Sequence, residues 1–122
     1  MAWRFESGIP LTLQIRDKLR ADILSGVYKS AYPFPTVRQL AADAAVNPNT
    51  MQKALSMLEE EGLLITLRTA GRIVTDDESV LDEARRKVTE ELVKRIVLEA
   101  KSLNINYGEL SEALGKEWCE NE

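Results

Sequence analysis

Apolar residues recur at helical spacing over three early stretches of the chain, then in short β-prone runs, then again at helical spacing towards the C-terminus. Leu13, Ile15, Leu19, Ile23 and Leu24 form a first stripe. Pro10 suits its first turn and Gly26 ends it. A shorter second stripe, Val37, Leu40, Ala41 and Ala44, lies in the run from Val37 to Val46 behind Thr36, a residue type that caps helix N-termini. The third, Met51, Ala54, Leu55 and Leu58, opens on Asn47 as N-cap with Pro48 in the first helical position, where a missing backbone N–H costs nothing. Gly62 stands where the end of that helix needs a left-handed residue. Leu63 to Arg68 and Arg72 to Thr75 then read as two strands joined by Thr69-Ala70-Gly71, a small hairpin.

The third helix has two unlike sides. Its apolar stripe leaves Asn49, Gln52, Lys53 and Ser56 on or near the opposite face, with Thr50 beside them, and amides, hydroxyls and an amine suit base edges and phosphates. An ordinary solvated helix face has the same composition, so the setting decides. Only a tight turn separates this helix from the one before it. The pair reads as a helix-turn-helix, in which the second helix enters the DNA major groove while the first crosses the backbone. The hairpin behind it reads as a wing.

Asp76-Asp77-Glu78-Ser79 marks a polar boundary and places negative charge at the start of the next helix, where the macrodipole favours it. From near Ser79, Val80, Ala84, Val88, Leu92, Ile96 and Ala100 recur at every fourth position, and Val93, Val97, Leu98 and Leu103 widen the stripe. Asn104-Ile105-Asn106 breaks the run. Asn106 and Glu109 have capping-box spacing, and the shorter helix that follows carries Leu110, Ala113, Leu114 and Trp118. Two helices cannot enclose these faces alone. An isologous dimer with the tails packed together covers them, the alternative being a tail packed solely onto its own winged domain; on the dimer reading we assign Val88, Leu92, Ile96, Val97, Ala100, Leu103, Leu110 and Leu114 to that contact. The expected fold is mainly α with a β-hairpin wing: an N-terminal arm (1–8), a winged helix-turn-helix (9–77) and a helical dimerisation region (78–122). In the arm, Trp3 and Phe5 alternate with polar residues and are read as packing onto the domain. The stretch from Val27 to Phe34 is read as a loop that tucks Tyr28 and Tyr32 under the helices.

Composition narrows the classes. The chain has 122 residues, no His and one Cys, Cys119, so it holds no histidine base, no Cys/His pair and no ligand cluster of zinc spacing. No enzyme activity, metal or cofactor is expected. A lone thiol fits a reducing cytoplasm, the first residues lack the apolar core of a signal peptide, and no stretch nears the length needed to span a bilayer. The net charge of −4 conceals a division: residues 1–75 carry nine Lys/Arg against seven Asp/Glu, and residues 76–122 carry seven against thirteen. The DNA module is therefore weakly positive and the tail strongly acidic. Affinity per half-site should be moderate, with dimerisation supplying the rest.

These residues resemble the winged helix-turn-helix of GntR-type bacterial transcription regulators. The resemblance runs in order through Ile9-Pro10-Leu11, Gln14-Ile15, Ile23-Leu24-Ser25-Gly26 and Phe34-Pro35-Thr36-Val37-Arg38-Gln39-Leu40-Ala41. It continues through Val46-Asn47-Pro48-Asn49-Thr50, Lys53-Ala54, Leu58-Glu59, Gly62-Leu63 and Gly71 to Val74. The short remainder is similar to the YtrA-like branch, whose C-terminal part is about two helices. The resemblance implies a sequence-specific regulator, a dimeric repressor on a two-fold symmetric operator, with double-stranded DNA and a second copy as partners. Arg38 matches a family arginine that contacts DNA, and its fork suits guanine or phosphate. Thr36, Asn47, Asn49, Thr50, Gln52 and Lys53 complete the helical contact set, with Lys53 on phosphate. In the wing, Gly71 permits close backbone approach, and Arg68 or Arg72 enters the minor groove.

Departures from the family pattern matter too. Pro48 and Gln52 stand where many relatives carry DNA-contacting arginines. Thr69 replaces the usual first wing glycine, Arg72 and Ile73 replace a small hydroxyl residue and an aromatic, and Ala44 replaces a leucine. Ala45 occupies a turn position often held by glycine, where a left-handed alanine carries strain of about 1 kcal/mol. Two other classes stand beside the repressor: a winged-helix module that docks a protein through the same polar face, and a regulator with a small-molecule effector site between subunits.

Overall fold

The computed structural model describes residues 3–69 and 71–122, so the readings that touch Met1, Ala2 and Ala70 lie outside the described residues. The elements are α1 (Leu11–Leu24), α2 (Val37–Ala44), α3 (Pro48–Glu60), β1 (Leu64–Leu67), β2 (Gly71–Val74), α4 (Glu78–Ser102) and α5 (Tyr107–Glu120). They fall into two compact units, Met1–Arg85 and Arg86–Glu122.

In the first unit the predicted stripes become one core. Ile15 and Leu19 of α1, Leu40 and Ala44 of α2, and Met51, Ala54, Leu55 and Leu58 of α3 are buried together with Leu63, Leu64 and Val74. Ala84 joins the same cluster, and Val80 and Leu81 pack against it, so the opening turns of α4 belong to this unit. Trp3 and Phe5 also pack against the core, with ring centroids 6.2 Å apart. Gln14 holds the arm: its Oε1 accepts from Glu6 N at 2.7 Å, and its Nε2 donates to the carbonyls of Glu6 and Ile9 at 2.9 Å.

Helix ends follow their caps. Pro10 is the N-cap residue of α1, one position outside the first turn where the sequence placed it. Thr36 and Gln39 form a reciprocal capping box on α2. Asn47 accepts from Asn49 N at 2.7 Å at the start of α3, with Pro48 as the first helical residue. Gly62 has φ +82°, and Leu63 N donates to Leu58 O, which closes α3 through a left-handed residue. Helix α2 stops at Ala44, and Ala45, at the turn position the sequence indicated, is left-handed (φ 58°, ψ 47°) and turns the chain into Asn47.

The hairpin is antiparallel, with Thr66 opposite Arg72 and Leu67 opposite Gly71. It has a third edge that the sequence did not disclose. Ser30 bridges Val74, Pro33 bridges Ile73, Ala31 N donates to Val74 O and Phe34 N donates to Arg72 O. The loop between α1 and α2 is thus hydrogen-bonded to β2. Tyr28 tucks inwards, 4.6 Å from the Phe34 ring, whereas Tyr32 is 62% exposed and does not go under the helices as expected.

In the second unit the end of α4 and α5 are joined by a turn through Asn104 in the left-handed region, and Asn106 caps α5 in a capping box with Glu109. Leu92, Val93, Val97, Leu98, Leu103, Leu114 and Trp118 are all exposed, while Ala100 is buried within the chain itself. No helix among the described residues is long and apolar enough to cross a membrane.

Candidate nucleic-acid interface

The α2–α3 pair sets the site. Burial of Met51, Ala54, Leu55 and Leu58 to 0% exposure fixes the rotation of α3 about its axis, so Asn49 and Lys53 must face solvent. Both are exposed, and Thr50 and Gln52 are half-buried beside them. Gln52 Nε2 donates to Ser56 Oγ at 3.2 Å, which orients the amide along the helix and leaves its carbonyl oxygen to accept. Lys53 makes no ion pair among the described residues.

Arg38 lies on the first turn of α2, exposed, without a hydrogen bond or ion pair among the described residues. Asp43, an acid on the same helix, does not hold it. A guanidinium left without a carboxylate on a polar face keeps its whole fork for an external acceptor. Thr36 and Asn47 serve differently. The Thr36 hydroxyl accepts from Gln39 N at 3.2 Å, and its own N–H donates to Gln39 Oε1 at 2.8 Å. The Asn47 oxygen is spent on Asn49 N. Both residues build helix starts, so a contribution to DNA would come from the neighbouring N–H groups of the first turns.

In the wing the arginines separate. Arg68 is exposed and makes no hydrogen bond or ion pair among the described residues. Arg72 is engaged: its Nε donates to Glu59 Oε1 at 2.8 Å, and the two side chains are only 18% and 29% exposed. Glu59 Oε2 accepts from Thr66 Oγ1 at 2.6 Å. The hydroxyl of Thr66 holds the Glu59 carboxyl below its ordinary pKa, the Arg72 bond and charge add to this, and partial burial opposes it. Of the two wing cations, Arg68 is the one without a partner among the described residues. Gly71 has φ +73°, and a Cβ there would meet nothing within 4 Å. Backbone conformation alone calls for glycine at this turn.

Sequence reasoning named Glu59 without a role and missed Thr66. Register carries the signal: Thr66 and Arg72 are cross-strand partners, and an acid in the last turn of α3 faces both. Among the described residues no group of three or more His, Cys, Asp or Glu is placed to hold a metal ion.

Residues 11–74 match the family model of bacterial regulatory proteins, gntR family. The chain is 30% identical over 111 residues to the HTH-type transcriptional regulator YhcF of Bacillus subtilis, covering 91% of this chain and 92% of that protein. It is 31% identical over 107 residues to the HTH-type transcriptional repressor YtrA of the same organism, covering 87% and 82%. Among solved structures, a GntR family transcriptional regulator from Listeria monocytogenes superposes with a TM-score of 0.84 at 28% identity, over 92% of this chain and 98% of that one.

Proposed function

This chain belongs to the gntR family of bacterial DNA-binding transcription regulators, and we propose that it is a cytoplasmic, dimeric repressor that reads a two-fold symmetric operator through Arg38, Asn49, Gln52 and Lys53. One observation carries the reading: the apolar side of α3 is completely buried while the opposite side presents amides and an exposed amine, with an exposed arginine on α2, both cations without an ion pair among the described residues. Arg38 is assigned to a guanine edge or phosphate, Asn49 and Gln52 to base edges, Lys53 to phosphate and Arg68 to the minor groove. Thr36 and Asn47 act as caps that aim the first-turn N–H groups. The closely similar YtrA is named a repressor, which supports that direction of control.

Dimerisation is assigned to the second unit. Its end of α4 and α5 line a groove of about 430 Å³ with Val93, Ile96, Val97, Leu110, Leu114 and Trp118, and Leu92 on α4 and Leu103 in the turn after it are also exposed. So much exposed apolar surface on two helices is covered economically by a second copy. The groove is mainly apolar, with the hydroxyls of Tyr107 and Ser111 and the indole of Trp118 among its lining, which favours packing over recognition of a polar effector. Two copies hold two half-sites and raise affinity by effective concentration, which compensates for a weakly positive DNA module.

Selection of bound duplexes from a random pool, followed by sedimentation of the complex, tests the proposal. A palindromic consensus bound by two chains is expected. Absence of duplex binding at low ionic strength would refute it, because the phosphate contribution to affinity is largest there.

A further inference from the structure

Helix α3 ends in Glu59 and Glu60 with Glu61 as its C-cap, acids at the negative end of its dipole, where such charge is unfavourable unless something opposes it. For Glu59 the opposing groups are on the wing. Its two carboxylate oxygens are divided between the strands: Oε2 takes the hydroxyl of Thr66 on β1 at 2.6 Å, and Oε1 takes Nε of Arg72 on β2 at 2.8 Å. Thr66 and Arg72 face one another in the ladder, so one carboxylate spans the hairpin and fastens it to α3. A carboxylate on a guanidinium uses the same donors that a phosphate would use.

We propose that Glu59 is a positioning residue for the wing, whose carboxylate occupies Arg72 in the place a DNA phosphate would take, so that the wing offers Arg68 and not Arg72 to the duplex. This rests on the DNA-binding reading above. It extends that reading by making one acid set both the wing angle and the number of wing cations available to phosphates. The partial shielding of Arg72, 18% exposed, against an exposed Arg68 with no partner among the described residues is the asymmetry expected of one cation withheld and one presented.

The readout is the slope of log Kd against log salt for the full chain on its selected duplex, which counts phosphates neutralised at about 0.9 each. Arg72→Gln should leave the wild-type slope unchanged, since that cation makes no phosphate contact. Glu59→Gln should steepen the slope by about 0.9 per bound chain as Arg72 is released to DNA, and Glu59→Gln/Arg72→Gln should remove the increase. Thr66→Val, which loosens the hairpin but keeps the ion pair, should keep the wild-type slope. A slope flattened in Arg72→Gln, unchanged in Glu59→Gln or steepened in Thr66→Val would overturn the proposal. A merely structural Glu59 would change the melting temperature without changing the slope. Wild-type protein that binds no duplex would overturn the DNA reading as well, and that failure is seen before any variant is compared.

Discussion

Nε of Arg72 lies 2.8 Å from Oε1 of Glu59, which joins the second strand of the wing to the last turn of α3. The pair has a thermodynamic signature because the carboxyl's pKa is lowered in the folded protein, chiefly by Thr66 and then by Arg72.

A group whose folded pKa is depressed stabilises the fold fully above its unfolded value, near 4.5 here, and loses that contribution as pH falls through the lower, folded value. Glu59→Gln should therefore cost about 1 kcal/mol at neutral pH, with the gap to wild type closing as the solution is acidified below that range. Urea titrations of both proteins at stepped pH check this. A gap constant down to strongly acidic pH would disprove the linkage.

Arg38→Ala should weaken specific DNA binding by about 1 to 3 kcal/mol, roughly 5- to 150-fold, with an unchanged melting temperature. The side chain is exposed and unpaired within the described residues, so its removal leaves no orphaned partner. Gel-shift titration together with a thermal melt separates the two effects.

Val97→Glu with Leu114→Glu should yield a monomer that retains its helical content. Val97 is 38% exposed and Leu114 52% exposed in the single chain, so the charges disturb little there, but two copies would have to bury them without partners. Sedimentation equilibrium reads the assembly, and affinity for a palindromic operator should fall by at least tenfold as the two-site advantage is lost. A stable dimer of the double variant would move the interface elsewhere.

Ala45→Gly should stabilise the first unit by about 0.5 to 1 kcal/mol, since alanine there is held at φ 58° and glycine adopts that region without a Cβ penalty. The result is a higher denaturant midpoint with the same m value. A lower midpoint would mean that chain entropy outweighs the strain.

Much of the fold was legible because its determinants are local. Asn47, Pro48 and the stripe from Met51 to Leu58 lie within one helix, and capping chemistry with apolar spacing announced its start, end and buried side. Asn106 and Glu109 announced α5 in the same way. The bridges from Ser30 and Pro33 to β2 were hidden, since isolated pairings give no alternation to read and a proline argues against a strand. Arg72 was undecided for a related reason: its partner Glu59 is 13 positions away and is brought near only by the hairpin register. The acidic turn at residues 76–79 is a real helix start, with Asp77 Oδ1 accepting from Ser79 N at 2.9 Å, yet Ala84 still reaches back into the core. Charge marks where the helix begins, while burial decides how far the first unit extends.

The hydrogen bonds that Ala31 and Phe34 donate to β2 give the hairpin a foundation on its far side from β1. A lone two-stranded ribbon is marginal in water, whereas here the second strand is hydrogen-bonded on both of its sides, to β1 and to the loop. The loop thus holds Arg72 to Val74 independently of the turn, so the exposed Arg68 and Thr69 can change in size and charge as operators diverge without loosening the helices that read them.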